Sequence, residues 1–547
     1  MKANLIKRNF KKEINGWWII SLIGAVVILL PILFVFSSIF QEPTENWLHI
    51  RQYLLKNYVS NTIILVVLTA IFTSFLGVTL AWLIAAYDFP LKRFFRWGLI
   101  LPLSIPTFIA AYTYRTMLGF TGVVQSTLRN HFNYHINAEW LTISGIRGAV
   151  FIFTLFLFPY VYIITRAFLE SQSTSYIENA RLLGRKPLAV FFKVVLPLSR
   201  PAIVGGTILV IYEVLGDYGV TSFFGIHTIS TAIFQTWFGM YDVNSAMRLA
   251  SWLMVIIIGM FFLERFLRHR RRYHLSNKSR TLVPMKLTGI AGTAAFMYCG
   301  IIFLLGFLIP FIQLMAWAKM TFHKVWDASF FTLIYQTVYV GVIATLLILV
   351  LAVVVANVCR SHSTFSFILS KFVTAGYSIP GPIIAIGVLA MFITFDNWLA
   401  PVYSFMGMGD SPLILSLSLI MLIVGYFIRF MATGFNATEV GFEKVGTKYM
   451  EASRMLGLGV TKTFFKVDLP LIKGSLISGF ILTFVEICKE LPLALLLRPF
   501  NFETLATKTF QYANDEQIHE ASISSLLIIV ISILSVIIFQ TVGKRVK

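Results

Sequence analysis

Apolar runs of about 20 or more residues recur along the whole chain, separated by short charged loops. A run of that length matches the thickness of a bilayer as a helix, and few other folds can absorb so many of them. We place twelve spans at 17–40, 59–87, 97–117, 145–168, 201–222, 245–266, 287–316, 332–358, 371–395, 413–435, 474–497 and 523–543. The composition agrees, with 57% of the 547 residues apolar and 13% charged, against about 45–50% and about 25% in soluble domains. A soluble enzyme and a disordered chain are both excluded. The apolar run after the basic start (Lys2, Lys7, Arg8, Lys11, Lys12) is too long for a signal-peptide core, and we read it as a retained first helix.

A net charge of +21 could suggest nucleic acid. The excess, however, lies in the N-terminal segment, 88–96, 166–200, 264–286, 359–371, 429–473 and the tail, which alternate along the chain and share one side of the membrane. The six intervening loops carry only between −2 and +1 each. The positive-inside rule then makes both termini and the central linker cytoplasmic, with no nucleic-acid partner. Cys299, Cys359 and Cys488 stand singly and form no CxxC pair, so neither a disulfide framework nor a zinc site is expected.

The chain repeats itself. Glu178-Asn-Ala180-Arg181-Leu-Leu183-Gly184 returns as Glu451-Ala452-Ser-Arg454-Met-Leu456-Gly457, and Phe191-Phe192-Lys193-Val194 and Leu196-Pro197-Leu198 return at the same offset of 273. Eleven of the 24 positions from 178 to 201 are identical in the second copy. Ser104-Ile-Pro106 matches Ser378-Ile-Pro380 at an offset of 274. The expected architecture is all-α and polytopic: two parallel six-helix repeats, 1–268 and 287–547, joined by a basic linker at 269–286. An even number of spans per half gives both halves one orientation.

The repeated loop reads as helix–turn–helix. Glu178 favours a helix start, Gly184 a left-handed C-terminal cap, Pro187 the first turn of a second helix and Pro197 its end. An amphipathic pair of this kind on the cytoplasmic face can be gripped by a soluble partner.

A Glu followed six residues later by Gly, then Leu-Pro, in such a loop resembles the coupling motif of binding-protein-dependent ABC importer permeases. The family's Glu-Ala-Ala appears as Glu178-Asn-Ala180 and Glu451-Ala452-Ser453. The resemblance implies a type I importer permease in the bacterial cytoplasmic membrane. It also implies two ATP-binding subunits seated on Glu178, Ala180, Arg181 and Gly184 and on Glu451, Ala452, Arg454 and Gly457, one extracytoplasmic binding protein, and no catalysis or cofactor in the chain itself. Lys489-Glu490-Leu-Pro492, the Arg498-to-Thr507 stretch, Glu213-to-Gly219 and Phe234-to-Met240 resemble the fused ferric-iron permeases, which makes Fe³⁺ the implied cargo. Thiamine or polyamine permeases and a gradient-driven carrier are the alternatives.

Intramembrane acids are functional candidates. Glu213 and Asp217 lie in register with Glu486 and Glu490, and a spacing of four puts each pair on one helix face. Carboxylate oxygen suits a hard cation, and four acids facing one path could pass it without holding it tightly. A structural reading pairs Glu486 or Glu490 with Lys489 or Arg498, and Glu213 or Asp217 with Arg248 or Arg115. Gly441-x-x-x-x-Gly446-Thr447-Lys448 nearly spells a P-loop, but Thr and Lys are reversed and no apolar strand precedes it.

Overall fold

The computed structural model describes residues 16–134, 141–171, 180, 183–269, 284–360, 364–408, 413–416 and 418–545. Among the described residues eleven helices are long and apolar enough to cross a membrane, and a bent pair makes twelve. In chain order they are α1 Gly16–Phe40, α2 Glu45–Ala86, the bent pair α3 (Lys92–Ser104 with Thr107–Phe132), α4 Gly145–Glu170, α5 Pro187–Gly216, α6 Val243–Leu263, α7 Gly289–Val325, α8 Ala328–Cys359, α9 Gly381–Phe405, α10 Leu419–Val445, α11 Val460–Lys489 and α12 Ala521–Ile538. Among the described residues the only strand pairing is a two-residue parallel bridge, Tyr87–Asp88 with Met285–Lys286, which ties the end of α2 to the approach to α7.

Two spans differ from the straight helices expected at 97–117 and 371–395. α3 bends by 91° between Ser104 and Thr107. In the second half a separate helix, Thr364–Ser378, stops before α9 starts at Gly381. Both breaks fall at the Ser-Ile-Pro repeat. A residue before proline is pushed out of the helical region, and Ile105 accordingly has an extended ψ of 111°. Pro197, by contrast, does not end its helix. A π turn, Phe191–Val195, widens the chain ahead of it, so within α5 the proline falls in the first turn of the α-helical stretch Leu196–Gly216, where no N–H is missed. Phe464–Asp468 does the same ahead of Pro470 in α11.

Close packing uses small residues, as expected where lipid supplies no hydrophobic drive between helices. α2, α4 and α5 form one group, and α8, α10 and α11 form the matching one. Gly206 sits so close to α4 that a Cβ there would lie 2.7 Å from the Val161 Cα, and its repeat partner Gly479 approaches Ala437 of α10 equally tightly, at 2.9 Å. The first helix of each six crosses to the other six. α1 packs on α8 and α9, with Gly24 against Leu351 and Gly387 against the Pro31 carbonyl. α7 packs on α3 and α12, where Tyr114 donates to the Leu305 carbonyl and Phe94 meets Phe303 edge-on at 5.1 Å. Each six-helix set is therefore clasped by the opening helix of the other.

Candidate functional site

The acids converge. Glu213, Asp217, Glu486 and Glu490 all line one cavity of about 120 Å³ at the seam between the halves, together with Pro106 and Thr107 of α3, Phe153, Phe156 and Tyr160 of α4, Arg429 of α10 and Lys489 of α11. The geometry differs from the expected four-residue spacing on a single helix. α5 ends at Gly216 and α11 at Lys489, and the next residue in each case, Asp217 or Glu490, is extended, with ψ of 132° and 120°.

Each of these two acids then starts a short helix. Asp217 Oδ1 accepts from the N–H groups of Val220 (2.9 Å) and Thr221 (3.2 Å) ahead of Gly219–Phe223. Glu490 Oε1 accepts from Leu493 N–H at 3.3 Å in Pro492–Leu497. A carboxylate that captures the next helix's free donors replaces the intrahelical bonds that would have carried the span onward. Thr107, just past the α3 break, donates to Asp217 Oδ2 at 3.3 Å. The proline breaks thus bring the start of the following helix to the acids. On the second-half side, a Cβ on Gly381 would lie 2.9 Å from Glu490 Oε1.

Of the ion pairs weighed from the sequence, one forms: Lys489 Nζ donates to Glu486 Oε1 at 2.8 Å. Arg498 pairs with Glu503 at 3.3 Å instead. Arg115 donates to the Phe223 carbonyl at 2.6 Å, and Arg248 donates to the Gln41 carbonyl. Arg429 is the cavity residue that sequence reasoning missed, because its charge was assigned to the 429–473 loop. Its position between the apolar Ile428 and Phe430 was the available signal.

The repeated loop is closed the same way in both copies. The second copy is the helix Lys448–Met455, followed by Gly457 at φ +85°, with Leu458 N–H donating to the Ser453 carbonyl at 3.2 Å. In the first, Gly184 has φ +73° and Arg185 N–H donates to the Ala180 carbonyl at 3.2 Å. These are the left-handed caps that the glycines imply. Glu178 and Arg181 lie outside the described residues. Glu451, Ala452, Arg454 and Gly457 are all exposed. So are Leu183 (82%) and Leu456 (84%), which occupy one repeat position.

Ser453 is buried, with its hydroxyl 3.0 Å from that of Thr463, and Trp17 of α1 donates to Thr461 at 3.2 Å, so the second copy is seated on α11 and α1. The near-P-loop at 441–448 is not a phosphate cradle: Gly441 lies inside α10 against Ser475, and Gly446 ends that helix.

A profile described as "Binding-protein-dependent transport system inner membrane component" matches residues 74–273 and again 348–547. The chain is 24% identical over 527 residues to the Fe(3+)-transport system permease protein FbpB 2 of Haemophilus influenzae, covering 94% of this chain and 96% of the relative. Shorter matches include the molybdenum transport system permease protein ModB of Escherichia coli, 31% identical over 154 residues (28% of this chain, 65% of the relative). A probable sulfate transport system permease protein of Marchantia polymorpha is 24% identical over 265 residues (46% of this chain, 87% of the relative).

Proposed function

The chain belongs to the binding-protein-dependent transport system inner membrane component family, and from that premise we propose that it moves ferric iron through the acid-lined cavity between its halves. It is a multi-pass permease subunit of an ABC importer and works with a binding protein and an ATPase. In our reading both termini and the repeated loops face the cytoplasm of a bacterium. Two ATPase subunits hold the 178–184 and 451–457 segments, with the exposed Leu183 and Leu456 as the apolar contact flanking each. One extracytoplasmic binding protein delivers the iron, and one copy of the chain serves each complex because both halves are present. ATP-driven closure of the ATPases rocks the halves about the seam.

The observation that carries the cargo assignment is the cavity's chemistry. Four carboxylates against two cations leave a formal charge of −2. That surface attracts a hard cation and repels an oxyanion such as molybdate or sulfate, the latter named for one of the relatives. The test is uptake of radio-iron, sulfate and molybdate by cells expressing the complete transporter. Iron uptake should fall by about tenfold or more when Glu213, Asp217, Glu486 and Glu490 become Gln, Asn, Gln and Gln together, with ATPase co-purification unchanged. Iron uptake at the wild-type rate in that variant, or oxyanion uptake by the wild type, overturns the assignment. Glu178→Ala with Glu451→Ala tests the docking half: retained co-purification and transport would reject it.

A further inference from the structure

The cavity is symmetric in its acids and asymmetric in its bases. At the 273-residue offset Glu213 matches Glu486 and Asp217 matches Glu490, but Gly216 matches Lys489. α4 presents Phe153, Phe156 and Tyr160 to the cavity where α10 presents Arg429. Both cavity cations therefore come from the second half.

Their placement is specific. Lys489 Nζ lies 2.8 Å from Glu486 Oε1, at the last residue of α11, where the helix dipole also favours a positive charge. Arg429 is anchored by donating 2.5 Å to the carbonyl of Ile379, the residue before Pro380. Pro380 is a point where the halves touch, since a Cβ on Gly216 would lie 3.4 Å from the Pro380 Cβ. From this anchor the guanidinium lines the same cavity as Glu213 of one half and Glu490 of the other. A cation fixed to the frame in a cavity shared by carboxylates of opposite halves attracts both, and does so more strongly here than it would in water.

We propose that Arg429 and Lys489 are tethered counter-ions: they offset half of the acid cluster's formal charge while the cavity is empty, and an arriving metal cation displaces them as it passes. The proposal rests on the cavity being the iron path. Without these two charges, four carboxylates lining so small a space draw a trivalent cation strongly. With them, the cavity holds two competitors that never diffuse away, so binding weakens and release quickens, as conduction requires. Arg429 and Lys489 are positioning residues in this scheme; neither is a ligand.

The test uses the full transporter complex with its ATPase in lipid nanodiscs, incubated with gallium(III) citrate, a redox-inert trivalent probe, and counted for metal after gel filtration. The Arg429→Gln/Lys489→Gln variant should retain gallium stoichiometrically, with affinity raised by about tenfold or more over wild type, while radio-iron uptake falls. Arg429→Lys, which keeps the charge, should behave as wild type in both assays. The exchange of Glu486→Lys with Lys489→Glu should also leave gallium retention low. The proposal is overturned if the double variant retains no more gallium than wild type, or if Arg429→Lys retains as much as Arg429→Gln. Should the double variant fail to assemble, Lys489→Gln alone decides, by the same rise or absence of rise in retained gallium. Failure of the iron-path reading has a different signature, namely wild-type iron uptake by the four-acid variant.

Discussion

The two halves share backbone devices and differ in the side chains that brace them. Each repeated loop closes on a left-handed glycine, each following helix runs through a π turn before its proline, and each span stops on an acid. At the base of the second half the brace is ionic. Arg360 meets Asp468 at 3.0 Å with side chains only 7% and 2% exposed, donates to the Gly446 carbonyl at 3.0 Å, and lies over the Phe442 ring. In the first half the repeat partner of Asp468 is Val195, fully buried in an apolar cluster with Trp82 and Tyr162. There Glu170 pairs with Arg96 at 2.8 Å and reaches Arg166 at 3.9 Å, and the closer pair is much more exposed. One backbone position thus accepts either a buried charge or a buried methyl group, so the fold does not require the ion pair; it requires that whatever is buried be matched.

The largest expected effect comes from breaking that match. Asp468→Ala leaves the Arg360 charge buried and unpaired, which costs about 3–5 kcal/mol. Asp468→Val copies the first half at that position, and with Arg360→Met to remove the opposing charge it should return stability to within about 1 kcal/mol of wild type, because well-packed apolar replacements of buried pairs are often neutral. Thermal unfolding of the purified chain in detergent measures both. A double variant as unstable as the single one would mean that the two braces are not interchangeable. Glu170→Ala in the first half should cost less than about 1 kcal/mol, as exposed pairs do.

This comparison also marks how far the sequence could be read. The spans were legible because apolar length alone reports them. The repeat was legible because Glu, Gly and Leu-Pro recur at one spacing. The breaks at Ile105 and Ile379 were not, because both lie within apolar stretches whose composition continues unchanged through the bend. The four acids could be named, but the helix ends between Glu213 and Asp217 could not, since a four-residue spacing looks helical whether or not the helix continues. Arg429 and the Arg360–Asp468 pair depend on contacts between distant segments, as does the exchange of α1 and α7 between the halves. No local pattern encodes those.

A smaller effect tests the shared devices. Gly184 and Gly457 have φ of +73° and +85°, and a Cβ at either would meet open space. The whole penalty of Gly→Ala is then conformational, about 1–2 kcal/mol, and it should be the same at both sites because neither neighbourhood adds to it. Hydrogen exchange over the two caps would show this as matched loss of protection. A markedly larger loss at one site would mean that its loop is braced by more than the cap.

The smallest effect lies at the opposite end, where the halves differ again. α6 begins on a carboxylate: Asp242 accepts from Ser245 N–H at 3.0 Å, Ser245 Oγ at 2.8 Å, Thr44 Oγ1 at 2.8 Å and Asn46 Nδ2 at 3.2 Å. α12 begins on backbone carbonyls, with Ala521 N–H donating to Gln517 and the Ser522 hydroxyl to His519. Partial burial works against the Asp242 charge, but the four donors outweigh it and hold the carboxyl below its ordinary range. A carboxyl depressed by folding contributes stability that is complete above its unfolded value of about 3.9 and fades as the pH falls through the lower folded value. Acidification should therefore loosen the α1–α2 connection from α6, while the first turn of α12, held by backbone carbonyls, stays closed. Asp242→Asn removes the titration and keeps a competent cap. In that variant, hydrogen exchange at Trp47 and Ser245 should lose its acid dependence and otherwise change little, because a largely solvated group contributes well under about 1 kcal/mol. Acid-dependent opening that persists in Asp242→Asn would assign the sensitivity to another group and leave the two outer ends alike.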